Sequence, residues 1–275
     1  MTIAAAYLTS EGVVLGADST TTVTGTSKAS SGPSGVLQLL EHAQKVFEVG
    51  SEKSRLGVCT WGAGNLGPVS HRTVVARLAD QVDPKSTTVD EAANKLKDIA
   101  SPLAAAHKAG FVGYFLGGWN PGTREPACYQ IQIPANKQPV VLPLGVGDCN
   151  FAGNPEFFGR AFHGYAPDLP KLLAPRLKEL LDETVPANYD DAFSQAFRET
   201  AGKLVARYYK DLPIREAIDF VYSYLHISIK ALKFRFGAPG CGGPLEIAFI
   251  TSDRWFRWAR HKGFTSALRE YEDDS

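Results

Sequence analysis

The order of the predicted strands and helices is the feature that most limits the fold of this chain. Short apolar segments come in pairs, and the turn residues 10–12 between the first two are typical of a β-hairpin. The helical segments come in consecutive groups, which differs from the strand–helix alternation of a doubly wound parallel sheet. The predicted strands are 2–9, 13–17, 44–49, 55–61, 111–119, 127–133 and 245–251, and the predicted helices are 69–82, 88–106, 156–163, 169–184, 189–211 and 214–232.

Strands joined by hairpins build antiparallel sheets, and consecutive helices can cover the outer faces of those sheets. We therefore predict an α+β fold, a four-layer α-β-β-α sandwich with antiparallel sheets. Residues 1–252 are predicted to form one domain with a helical insertion at about 166–211. Residues 253–275 are predicted to form a C-terminal tail that folds as an amphipathic helix, and the Gly/Ser/Thr-rich residues 24–36 are expected to form a loop.

The charge and the hydropathy of the chain exclude several classes of partner. The 275 residues contain 29 Lys and Arg and 29 Asp and Glu, so the net charge is zero. Nucleic acids and anionic membranes select for a basic excess, and neither is expected as a partner. No apolar run approaches the length of a membrane-spanning helix, and residues 1–4 lack the basic start of a secretory signal. The expected location is the cytoplasm.

Metal and cofactor sites are not expected. The six histidines lack the spacing of metal ligands, and no two of the four cysteines form a CxxC pair. Free thiols are therefore predicted. The chain also lacks a P-loop, an HExxH segment and a GxSxG elbow, and no cofactor is predicted.

One group of residues points to catalysis. Thr2 follows Met1 directly and is small enough for removal of Met1 to be expected. An N-terminal threonine offers a hydroxyl nucleophile together with its own amine as the general base. This chemistry needs a cation, a carboxylate to hold that cation, and a backbone N–H for the oxyanion. Lys45, Asp18 and Gly64 stand at the ends of predicted strands and can supply these three parts.

At these positions the chain resembles the β-type subunits of the proteasome, including the bacterial HslV-like peptidases. The resemblance lies in Thr2, in residues 12–19 (GVVLGADS), in residues 45–48 (KVFE) and in residues 62–64 (GAG). It implies the fold of the N-terminal nucleophile (Ntn) hydrolases. Weaker similarities, in the same order along the chain, lie at 117–119, 129–131, 145–147 and 242–243.

The resemblance also implies a role for each matching residue. Thr2 would be the nucleophile, Lys45 would tune its amine and hydroxyl, Asp18 would hold Lys45, and the Gly64 N–H would bind the oxyanion. The backbone of Thr22 would pair with the substrate. The residues expected around the P1 side chain are Thr21, Ala43, Phe47, Gly62 and Leu66, which are uncharged and favour an apolar P1 group.

Some positions depart from the pattern of that family. Thr20 and Val146 stand where Arg and Ser are usual, and Ala238 and Cys241 stand where an Asp and a Ser support the nucleophile. A weaker supporting shell predicts slow chemistry.

Three functions are open at this point. The first is a threonine-type endopeptidase that cleaves peptides or unfolded proteins inside a homo-oligomeric ring, with an ATP-dependent unfoldase as a candidate partner. The second is a catalytically weak or inactive scaffold subunit of the same fold. The third is an amidohydrolase that acts on small amides.

Overall fold

A computed structural model describes residues 2–25, 35–50, 54–154, 164–166, 168–180, 188–204, 211–234 and 240–262, together with Phe157 and Arg160. The chain forms two compact units, one of residues 1–154 and 210–275 and the other of residues 155–209. In chain order the strands are β1 (Ile3–Leu8), β2 (Gly12–Ala17), β3 (Thr21–Gly25), β4 (Gly35–Leu40), β5 (Val46–Glu48), β6 (Leu56–Gly62), β7 (Asn65–Leu66), β8 (Val69–Ser70), β9 (Val112–Trp119), β10 (Pro126–Ile133), β11 (Val140–Pro143), β12 (Cys149–Gly153), β13 (Glu246–Thr251) and β14 (Arg254–Arg260). The helices are α1 (His71–Ala79), α2 (Val89–Ala106), α3 (Leu169–Leu180), α4 (Tyr189–Leu204) and α5 (Ile214–Lys233).

The first unit contains two five-stranded antiparallel sheets. The first sheet has the order β12-β1-β2-β13-β14, and the second has the order β11-β10-β9-β6-β5. Side chains such as Leu15 and Ile250 from the first sheet meet Val46 and Phe115 from the second in a core between the sheets. This arrangement places the two central layers of the sandwich face to face.

Helices cover the outer face of each sheet. Val74 and Leu96 of α1 and α2 pack with Val58 and the rest of the second sheet. Leu225 of α5 packs with Ile247 and other residues of the first sheet. The fold is therefore the predicted α+β sandwich with four layers and antiparallel sheets.

The second unit is helical. Helices α3 and α4 pack against each other, and Ala174 of α3 is fully buried. Along α4 the rings of Tyr189, Phe193 and Phe197 follow at a spacing of four residues, with centroids 5.9 and 6.0 Å apart. This spacing places them on one face of the helix.

Two local predictions are wrong. The segment expected to be a loop at 24–36 contributes to an antiparallel hairpin of β3 and β4, and only its central residues 26–34 lie outside the described part. The expected C-terminal helix begins instead as strand β14, paired with β13, while residues 263–275 lie outside the described part. The reason is the two-residue period of Phe256 and Trp258, which both pack against the core between the sheets.

None of the described helices is long and apolar enough to cross a membrane.

Candidate active site

Three of the predicted catalytic residues line one cavity of about 80 Å³. Thr2 directly precedes β1, Lys45 directly precedes β5, and Gly64 lies between β6 and β7. The fourth, Asp18, follows β2, is fully buried and contacts Lys45. The ends of strands from both sheets therefore bring these four residues together.

Asp18 and Lys45 form a buried ion pair. Lys45 Nζ lies 2.7 Å from Asp18 Oδ1 and also donates to the Thr20 carbonyl at 2.6 Å. Asp18 Oδ1 accepts the Ile3 N–H at 3.0 Å, and Asp18 Oδ2 accepts the N–H groups of Thr20 at 3.2 Å and Gly242 at 3.0 Å. A buried charge is tolerated when it is paired and hydrogen-bonded in this way. The carboxylate thus joins the residue after Thr2, the loop before β13 and Lys45.

The Lys45 ammonium has one donor left for the cavity. An ammonium carries three N–H groups, and two of them are directed to Asp18 and Thr20. The third has no acceptor among the residues that the structure describes. Because Lys45 lines the cavity, it can present a hydrogen bond and a positive charge to a group bound there.

The segment 62–64 is held in a conformation that leaves one N–H free. Gly62 has a φ of +94°, and a Cβ at this position would collide with the Phe111 carbonyl oxygen. The Ala63 N–H donates to that same oxygen at 2.9 Å. The Gly64 N–H has no protein acceptor within the described ranges, and Gly64 lines the cavity. A fixed, unused backbone donor of this kind suits the stabilisation of an oxyanion.

His71 lies at the cavity, although no sequence pattern indicated it. It is the first residue of α1, it is 6% exposed, and it lines the cavity. Its Nε2 lies 2.7 Å from the Ala63 carbonyl oxygen, and its Nδ1 lies 3.0 Å from the Tyr114 hydroxyl. Burial lowers the pKa of His71, and the hydrogen bond to Ala63 opposes this only in part. His71 is therefore neutral near pH 7.

Glu246 supports Lys45 from the main-chain side and was also missed from the sequence. This carboxylate on β13 is fully buried, and its Oε2 accepts the Lys45 N–H at 3.2 Å. Its Oε1 lies 3.2 Å from Lys262 Nζ and 4.0 Å from His261 Nδ1. Neither Oε1 nor Lys262 Nζ has a well-aligned hydrogen bond, so the contact to Lys262 is mainly between charges.

The structure separates the six predicted substrate-binding residues into two groups. Thr21, Thr22, Ala43 and Gly62 line the cavity together with other polar side chains. Phe47 and Leu66 are not among the residues that line it, and their part in substrate binding stays a prediction.

Leu66 and Phe47 both pack in the layer between the second sheet and its helices. Leu66 of β7 is fully buried in the core between the helices and the second sheet. Phe47 faces that same layer and lies under the Arg72 guanidinium, which is 5.8 Å from the ring centroid.

The positions that depart from the family pattern lie in different surroundings. Cys241 is buried beside Gly242, and burial raises the pKa of its thiol to about 12, with the Asp18 charge as a smaller cause. This thiol stays protonated at neutral pH. Val146 is exposed, and Ala238 lies outside the described residues.

Across the described ranges, no three His, Cys, Asp or Glu residues come together as a metal site would require.

No protein-family model and no curated protein matches this chain. Among solved structures it is similar to the (Gly-1) mutant of Anbu, a proteasome-like Ntn protein, from Hyphomicrobium sp. strain MC1. The two share 14% sequence identity with a TM-score of 0.56, over 100% of this chain and 93% of the other. At this identity the likeness shows the fold alone. The chain therefore has a proteasome-like fold of the Ntn type.

This finding overturns the assignment to proteasome β-type or HslV-like subunits, which is wrong. The likeness found is to Anbu, and it extends to the proteasome-like fold and no further. Lys45 and residues 62–64 line the cavity, and a match over such short segments does not identify a subunit family.

Proposed function

We propose that this protein is an N-terminal threonine hydrolase that cleaves amide bonds in peptides, with Thr2 as the nucleophile. The observation that carries the proposal is the buried Lys45–Asp18 ion pair beside a cavity that Thr2 also lines. A buried ammonium that is held by a carboxylate and keeps a donor for the cavity matches what a threonine nucleophile requires. The proteasome-like fold supports the same conclusion by analogy.

The reaction begins with proton transfer from the Thr2 hydroxyl to its α-amine while Oγ attacks the carbonyl carbon of the substrate. The carbonyl oxygen becomes an oxyanion, to which the Gly64 N–H donates. The C–N bond then breaks, the leaving amine takes the proton from the Thr2 ammonium, and an ester remains on Thr2. Water hydrolyses the ester with the α-amine again as the base, which restores the hydroxyl and releases a carboxylic acid.

The α-amine of Thr2 must be free for this reaction. Its unperturbed pKa of about 7.7–8.0 suits a base near neutral pH. The positive charge of Lys45 disfavours protonation of the amine and stabilises the developing alkoxide. Met1, whose removal would expose the amine, lies outside the described residues. The homo-oligomeric ring and the unfoldase partner remain predictions.

A second candidate is hydrolysis of small amides, and the size of the cavity favours it. Pockets that enclose drug-sized ligands usually measure about 300–1,000 Å³, whereas this one measures about 80 Å³. Its walls are mainly polar, and neither Phe47 nor Leu66 belongs to them. A P1 side chain that occupies this cavity would have to be small.

The test is intact mass spectrometry after incubation with a β-lactone, which adds to a reactive threonine hydroxyl without a leaving group. We expect wild-type protein without Met1 to gain one lactone mass and T2A to gain none. T123A, in the exposed loop before β10, serves as the matched control and should be labelled like the wild type. A labelled T2A variant, or an active wild type that retains Met1, would contradict the proposal.

A panel of fluorogenic peptides separates the two candidate substrates. The peptides differ only at P1, with Ala, Val, Leu, Tyr and Glu, and are compared with the corresponding acyl amides of one residue. For a peptidase we expect the largest kcat/KM with Ala or Val at P1 in the peptides. If the single-residue amides are cleaved faster than every peptide, the second candidate is correct.

A further inference from the structure

The contact between His71 and Ala63 concerns the proposed oxyanion site directly. The carbonyl that His71 contacts and the N–H proposed to bind the oxyanion belong to one peptide group, which links Ala63 to Gly64. A peptide group is planar, so a bond that fixes its C=O also fixes the direction of its N–H. His71 therefore restrains the donor from the opposite end of the same peptide.

Hydrogen-bond chemistry sets the tautomer of His71. A carbonyl oxygen can only accept, so Nε2, 2.7 Å from Ala63 O, must carry the proton. In the neutral ring Nδ1 is then an acceptor, and it receives the Tyr114 hydroxyl proton at 3.0 Å. Tyr114 is fully buried on β9 and meets the imidazole edge-on, with ring centroids 5.5 Å apart. The chain Tyr114–His71–Ala63 is thus directed toward the Gly64 N–H.

The other hydrogen bonds of residues 62–64 in the described structure do not act on the Ala63–Gly64 peptide, so the orientation of this peptide depends on His71. The Ala63 N–H is held by Phe111 O, which fixes the preceding peptide group. The Gly64 N–H has no protein acceptor within the described part of the chain. Donation into the Ala63 carbonyl also polarises the peptide, and bonds in such a chain strengthen one another.

We infer that His71 is a positioning residue of the proposed active site. Its Nε2–H fixes and polarises the Ala63–Gly64 peptide so that the Gly64 N–H is directed at the oxyanion, and Tyr114 keeps the imidazole in the required tautomer. This inference rests on the proposed threonine hydrolase function. It assigns the oxyanion site a support that lies outside the residues of the sequence resemblance.

The test compares two substitutions of similar volume at position 71. In H71Q, the amide nitrogen can replace Nε2 as the donor to Ala63 O, whereas H71L has no donor. Loss of a whole oxyanion donor lowers kcat by about 10²–10³, and we expect about 10–100-fold for H71L because Gly64 itself remains. H71Q should recover to within about five-fold of the wild type, and KM should change little in either variant. H226L, an exposed histidine on α5, is the matched control and should equal the wild type.

Inhibitor affinity distinguishes a role of His71 in positioning the Gly64 N–H from a general structural role. A peptide aldehyde adds to Thr2 Oγ and places an oxygen at the oxyanion position, whereas the alcohol of the same peptide does not. H71L should weaken the aldehyde by the same factor by which it lowers kcat/KM and should leave the alcohol unchanged. Equal weakening of both inhibitors, or an unchanged kcat in H71L, would overturn the inference.

Y114F serves if H71L does not fold. It removes only the hydroxyl that sets the tautomer, and we expect the aldehyde to bind about 3–10-fold more weakly, with the alcohol unchanged. No selective loss in Y114F would then overturn the inference. Failure of the proposed function gives a different result, because T2A would then retain hydrolysis whatever happens at position 71.

Discussion

Glu246 accepts the main-chain N–H of Lys45 at 3.2 Å, so a strand near the end of the chain holds the residue whose ammonium pairs with Asp18. The contact exists because β13 pairs with β2 and places Glu246 opposite Ala17, the residue before Asp18. The Glu246 carboxylate and the Asp18 carboxylate thus bind Lys45 at its two ends.

E246A should lower both stability and activity. It leaves Lys262 without its buried counter-charge and releases the Lys45 main chain, and loss of one partner from a buried ion pair typically costs about 3–5 kcal/mol. Because Lys262 is not fully buried, the lower end is expected for the free energy of unfolding in urea. D98A removes an exposed partner of Lys97 and should change stability by less than about 1 kcal/mol. Equal effects in the two variants would contradict the role of Glu246.

Removal of Lys45 should separate stability from catalysis. K45M leaves the Asp18 carboxylate buried without its cation and should destabilise the protein by about 3–5 kcal/mol. The double variant K45M/D18N removes both charges and should recover part of this loss. Both variants should hydrolyse peptides at least about 10²-fold more slowly than the wild type. Recovery of activity in the double variant would show that Lys45 has no catalytic part.

R55M should destabilise the first unit without touching the cavity. The buried Arg55 guanidinium donates to the carbonyl oxygens of Thr87, of Trp119 at 3.1 Å and of Pro84 at 3.0 Å. Buried acceptors that lose their donor typically cost about 1–3 kcal/mol each, and we expect a loss of about 3 kcal/mol in urea unfolding. R124M, on an exposed arginine over the same Trp119 ring, is the control and should stay within about 0.5 kcal/mol.

The buried His71 should make stability depend on pH. Its pKa is lowered in the folded protein, so the unfolded chain binds the proton more strongly, around its ordinary value of 6.5. The stability that neutral His71 contributes is thus present above pH 6.5 and is lost as the pH falls below that value. Urea unfolding at pH 8 and pH 5 should show a larger loss for the wild type than for H71Q. The exposed histidines are common to both proteins and cancel in this comparison, and equal losses would contradict the prediction.

The sequence alone was sufficient to predict the strand ends at which the site residues lie. Asp18 and Lys45 each stand where an apolar segment starts or stops, and the pattern of hairpins predicted that such ends lie in stacked sheets. The contact between Asp18 and Lys45 was expected only from the resemblance to a known family. The alternation of strand pairs and helix groups likewise predicted the layers of the sandwich.

The missed residues depend on register and on the choice of face, which a single sequence does not reveal. Glu246 reaches Lys45 only because β13 pairs with β2 in one particular register. Leu66 lies on a two-residue strand, and nothing in so short a segment indicated that it faces the core. His71 stands at a helix start, where a polar residue is ordinary. Its proposed role depends on hydrogen bonds to Tyr114 and Ala63, which lie on other elements of the structure.

Asp18 and Lys45 form one buried ion pair, Glu246 and Lys262 form a second, nearly buried one, and the Lys45 main-chain N–H joins the two pairs through Glu246. Replacement of one residue leaves its ion-pair partner uncompensated, so an evolving lineage that changes only one of them passes through a less stable intermediate. We expect related chains to keep or to exchange these residues in pairs, which an alignment of homologues can test. These four residues would then be retained even after selection for catalysis had ended, because the stability of the folded protein depends on them.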